Sequence, residues 1–186
     1  MPEGLPTHED YVTHWIRSLS ILHTGHWRAS RYYEVVNLVL GVATALSAAI
    51  SGTTAFQDLA SQGASATASP TTQLWGGAFA VFAAALAAVQ TFFRSSELAT
   101  KHKQAGVKFG QLERELEGYL DLGIPADAHE REKLLKPFQA RWNQVEDEAL
   151  PLPQRIYART AKEYDQSEKP KRARAYGEIL RQPSHA

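Results

Sequence analysis

Three observations predict an all-α membrane protein, a two-transmembrane helical hairpin with a cytoplasmic helical bundle or coiled-coil-like region. Residues 35–57 and 59–93 carry no charged side chain, and only Asp58 separates them. All the remaining charge falls in residues 1–34 and 94–186. In those flanks apolar residues recur every three or four positions, and nothing alternates with the period of two that a strand needs.

Residues 8–34 come first, as an amphipathic cytoplasmic helix within a region spanning 1–34. Tyr11, Trp15, Leu19, Leu22 and His26 share one helix face, with Gly25 a potential bend. The segment leads into the first span, residues 35–56. About 22 residues at about 1.5 Å each reach roughly 33 Å, against a hydrocarbon core of about 30 Å. A second span covers 74–93, which is just long enough. Residues 57–73, rich in Ser, Thr, Ala and Gly and containing Pro70, form an exposed external loop. The alternative is a soluble bundle with two buried helices. A chain of 186 residues would, however, surround a central apolar helix with amphipathic ones, and would rarely set two uncharged segments around a polar loop.

Arg28 and Arg31 precede the first span, and Arg94, Lys101, Lys103 and Lys108 follow the second, whereas the loop has no basic residue. By the excess of positive charge on cytoplasmic flanks, both termini are expected in the cytoplasm. Tyr32, Tyr33, Phe92 and Phe93 fall at the inner interface, and Phe56 and Trp75 near the outer one. The apolar run from Val35 lacks the early basic region and cleavage site of a secretory signal, and is expected to be retained as an anchor.

Residues 94–165 form the cytoplasmic bundle. Leu98, His102, Ala105, Phe109, Leu112, Leu116 and Tyr119 alternate steps of four and three, which predicts a long helix with a partner, ending near Asp121–Pro125. Leu135, Phe138, Trp142, Val145 and Ala149 predict a second helix packing back antiparallel. Pro137 either opens that helix at its first turn or kinks it. A shorter helix around 156–164 and a weakly ordered tail over 166–186 follow.

Formal net charge is zero and no basic footprint for nucleic acid stands out. With no cysteine, neither a disulfide nor a thiolate metal site exists. His23 and His26 share a helix face, but no third ligand or HExxH pattern accompanies them, so no metal is expected. No nucleophile motif or glycine-rich phosphate loop is present, Glu146, Asp147 and Glu148 read as a solvated face, and neither an enzyme nor a cofactor is expected. His102 occupies a seam position among Leu, Ala and Phe, where it is either a hydrogen-bonded packing residue or a titratable element of a gate.

The spans carry patterned faces. Asn37, Gly41, Thr44, Ala48 and Ser51 line one stripe of the first span; Gly76, Ala80, Ala84 and Ala88 recur at steps of four in the second, with Gln90 nearby. Small and polar faces ask for close helix contact in lipid. Either the two faces pack together within one hairpin, or Asn37, Gly41, Thr44, Ala48 and Ser51 line a polar path around an oligomer axis. One hairpin cannot enclose a pore, so the second reading requires a homo-oligomer.

The segments HWRASRYYEVVNLVLGVATALSAAISG, FFRSSELATKHKQAGVKFGQLERELE and WNQVEDEALPLPQRIYARTA together resemble the SLATT domain, a two-transmembrane effector domain associated with nucleotide-second-messenger and SLOG systems of bacteria. The resemblance spans roughly residues 15–165. Arg94, Glu97, Ala99, His102, Gly106, Leu112 and Glu117, joined to His26, carry it. It implies a pore- or channel-forming effector of an anti-phage conflict system in the cytoplasmic membrane, answering to a separately encoded sensor protein or nucleotide signal. His26, Arg94, Glu97, His102 and Glu117 are then structural or gating positions.

Overall fold

The computed structural model describes residues 8–61, 70–123, 125 and 127–167. Among these residues every regular element is a helix: α1 (His8–Ser61), α2 (Pro70–Phe93), α3 (Ser95–Leu122), α4 (Ala128–Glu148) and α5 (Gln154–Gln166). The amphipathic segment and the first span expected as neighbours are one helix of 54 residues, unbroken at Gly25. Gly25 is there for space: a Cβ at this position would lie 2.8 Å from Leu152 Cδ1. The expected 57–73 loop is narrower, because α1 continues to Ser61 and α2 opens on Pro70, a residue suited to a first helical position. The centre of that loop, 62–69, and the tail, 168–186, lie outside the described residues.

The chain divides into two compact units, one of Arg31–Ala99 and one that joins Met1–Ser30 to Thr100–Ala186. In the first unit the α1 segment and α2 run antiparallel, since Asn37 meets Gln90 at one end and Thr54 meets Gly76 at the other. Two stretches, within Thr13–Gln57 and Gln73–Leu122, are long and apolar enough to cross a membrane. Only 6% and 11% of their most apolar windows are buried, so neither is the buried core helix that the soluble alternative requires. Leu38, Val39, Val42 and Leu46 on α1, and Leu74, Val81, Phe82 and Phe92 on α2, are all exposed. A continuous apolar surface of this kind marks a membrane or partner face.

Arg94 separates α2 from α3 at a positive φ of 41°. Its carbonyl accepts from the N–H groups of Glu97, at 2.9 Å, and Leu98, at 3.1 Å, which opens α3. At the other end Gly123, with φ 88°, closes α3 in the left-handed conformation that glycine adopts without a Cβ penalty, within the stop expected from the sequence.

The second unit is built around Leu19, Ala105, Phe109, Leu112, Leu116, Leu120 and Phe138, with Trp15, Leu22, Tyr119, Trp142, Val145 and Ala149 packed on them. Leu19 and Ile21, both fully buried, leave α1 on nearly opposite sides, about 200° apart, so this stretch of α1 is covered on more than one face. The side chain of Tyr11 lies outside the described set. Trp15, Phe138 and Trp142 form an aromatic cluster with centroids 5.9 to 6.3 Å apart. Lys108 pairs with Glu148 at 2.5 Å, Glu115 with Arg141, and Tyr119 with the ring of Phe138; partners rise along α3 as they fall along α4, so the two helices are antiparallel.

Asp127 caps α4, its carboxylate accepting from the N–H groups of His129 and Glu130. Pro137 therefore sits in the helix interior and not in its first turn. α5 is tied to α1 by a two-bond ion pair of Arg17 with Asp165, at 3.0 and 3.1 Å, and by Arg28 with Glu163, while Thr160 and Tyr164 are buried.

Candidate functional site

In the hairpin unit, half of the patterned stripe is used internally. Gln90 Nε2 donates to Asn37 Oδ1 at 3.5 Å, and the same Nε2 lies 3.6 Å from where a Cβ on Gly41 would be. Thr44 is half-buried and donates to the Leu40 carbonyl; Ser51 is half-buried and its carbonyl accepts from Thr54. Ala48 is exposed, and Ser47, which the stripe omitted, is buried and bonded to the Ala43 carbonyl.

On α2 the residues covered within one chain follow a different row from the small-residue face. Gly76 and Ala83 are buried, and Phe79, Leu86 and Gln90 half-buried, whereas Ala80, Ala84 and Ala88 are exposed. Four residues advance a helix by about 400°, so a row of fours rotates about 40° off the seam at each step. Steps alternating three and four stay on it, and 76, 79, 83, 86 and 90 follow that rule.

The five positions singled out by resemblance separate into three places. Arg94 and Glu97 form an exposed ion pair at 3.4 Å at the start of α3, and Glu117 is exposed further along it. His26 of α1 and His102 of α3, by contrast, are 1% and 2% exposed and meet Nδ1 to Nδ1 at 3.0 Å. This contact can exist only if one ring donates and the other accepts, so at most one of the two can carry a full positive charge there. Phe109 stacks on His26 with centroids 5.3 Å apart. Burial, and then the neighbouring His102, push His26 down to about 4; burial also lowers His102.

Two glycines bring the backbones together around this pair. A Cβ on Gly106 would lie 3.1 Å from Trp27 Cδ1, and one on Gly110 would lie 2.9 Å from His23 Nε2. The amine of Lys103 sits 6.0 Å from the Trp27 ring. One turn from His26, His23 Nδ1 meets the buried Glu113 Oε2 at 2.6 Å. His23 and His26 thus share a helix face, as their spacing predicts, but each has its own partner on α3. Among the described residues no group of three or more His, Cys, Asp or Glu side chains could hold a metal ion. Glu113 and Gly110 were not singled out from the sequence: a charged residue and a glycine beside the heptad row carry no signal until the facing helix is known. The arrangement is suited to holding a shared proton between two helices.

Comparison of the chain with protein-family models, with curated proteins and with solved structures returned no significant match.

Proposed function

We propose that the protein is an oligomeric membrane effector of a bacterial anti-phage conflict system. Several copies open a pore or channel in the cytoplasmic membrane when a separately encoded sensor or a nucleotide signal acts on the charged helices, and both termini lie in the cytoplasm. The observation that carries the reading is the hairpin of α1 and α2, which leaves almost all of its apolar surface uncovered while sharing the unbroken α1 with a packed, charged unit. Lipid satisfies that surface, and helix-bonded backbone groups satisfy the requirement of a hydrocarbon environment. The effector role and the conflict system rest on the residues that resemble the SLATT domain.

Asn37, Gly41 and Thr44 are turned inward or half-covered in a single hairpin, so lining a path requires the first span to rotate away from Gln90. The exposed row of Ala80, Ala84 and Ala88 supports contact with a neighbouring copy in this scheme. A signal that favours the open arrangement by several kcal/mol makes such a switch tight.

A membrane-anchored helical scaffold without a pore is the second reading, favoured by the Asn37–Gln90 bond, which spends the polar groups inside one chain. Induced expression with a membrane-potential dye, with the cognate system triggered, separates the two. The pore reading expects depolarisation that Asn37→Leu with Thr44→Leu abolishes while assembly persists. Cells that stay polarised, or function that survives exchange of both spans for unrelated hydrophobic helices, sink it in favour of the scaffold.

A further inference from the structure

We infer that the His26–His102 contact is a proton-operated latch between α1 and α3, closed when the rings share one proton donor and released when acid protonates them. The geometry carries the inference. At 3.0 Å between two Nδ1 atoms, protonating both would set one N–H against the other. A single added charge would sit on rings that are 1% and 2% exposed, against the face of Phe109 and beside Ala105. Gly106 and Gly110 let α3 approach α1 closely on this face, since a Cβ at either would crowd Trp27 or His23.

Charged groups on the neighbouring turns have partners of their own. On α1, His23 meets Glu113 and Arg28 meets Glu163 of α5; on α3, Lys103 lies over Trp27 and Glu113 faces His23. The lowering of His26 comes from burial and from His102, and that of His102 from burial. The sign follows: the closed contact holds neutral rings, while a freed imidazole takes up a proton below about 6.5, so the latch weakens as pH falls through the window from about 6.5 to about 4. At pH 5 the lowering of His26 alone weights the open state by about thirtyfold, and the lowering of His102 acts in the same direction. The latch joins α1 to α3 and holds whether or not the hairpin opens a pore.

Hydrogen exchange of the full chain in lipid nanodiscs, corrected for the intrinsic pH dependence of exchange, tests it. Peptides covering 19–30 and 100–113 should lose at least tenfold protection between pH 8 and pH 5, with a smaller change in α4; equal protection at the two pH values overturns the latch. His26→Asn with His102→Asn keeps hydrogen-bonding groups near the Nδ1 positions and leaves His23 with Glu113, so tenfold sensitivity persisting in that variant also overturns it. If the double variant does not fold, titration of the native imidazoles by NMR decides: at least one of the seven histidines should stay neutral to below pH 5, and seven ordinary midpoints between about 6 and 7 sink the idea.

Discussion

Gly110, Gly118 and Gly123 follow one another along α3 and its end, and alanine at each tests a different force. At Gly110 the new methyl group meets the His23 ring, with Nε2, Cε1 and Cδ2 at 2.9, 3.1 and 3.2 Å. Moving the ring breaks its 2.6 Å contact with buried Glu113, so Gly110→Ala should cost about 1–3 kcal/mol. A Cβ on Gly118 meets nothing within 4 Å, and alanine there should stabilise by about 0.5–1 kcal/mol through helix propensity. At Gly123 the space is equally open, but φ is 88°, so Gly123→Ala should cost about 1 kcal/mol from backbone strain alone. Thermal unfolding of the detergent-solubilised chain reads all three, and a uniform effect of alanine would contradict the assignment.

At the scale of elements, α4 sets a buried anchor beside an internal breaker. Phe138 is fully buried between Trp15, Tyr119 and Trp142, and Phe138→Ala should cost about 3–5 kcal/mol. Its neighbour Pro137 is exposed and deprives the Lys133 carbonyl of a helical donor, so Pro137→Ala should stabilise α4 by about 1–3 kcal/mol. Denaturant unfolding of the two variants should move in opposite directions. The pattern of α3 was readable in advance because its row from Leu98 to Tyr119 alternates three and four, and His102, Ala105, Phe109, Leu112 and Leu116 are indeed its buried positions. In α2 the same geometry separates two rows: the alanines at 80, 84 and 88 wind off the seam that α2 shares with α1 and stay exposed within one chain. The His26–His102 and His23–Glu113 contacts join residues 76 and 90 positions apart, a separation that no local spacing reports.

For the whole molecule, the uncovered apolar hairpin makes a direct demand on where the chain resides. After expression, membranes washed with alkaline carbonate should retain the full chain in the pellet; release into the supernatant would return it to the soluble reading. Substituting Arg for Leu46 and Val81, two exposed apolar residues of the hairpin, should shift the chain out of that pellet, since each charge at mid-bilayer depth costs about 2.5–3.5 kcal/mol by insertion scales.

The division of the chain also has a bearing on synthesis. The charged unit is assembled from Met1–Ser30 and Thr100–Ala186, with Arg31–Ala99 inserted between them. The ribosome, at about 5–20 residues per second, therefore delivers Leu19 and His26 several seconds before Phe109 and Phe138 exist to pack with them. The hairpin segment is complete before the histidine seam can close, and the seam is a record that both halves of the unit have arrived.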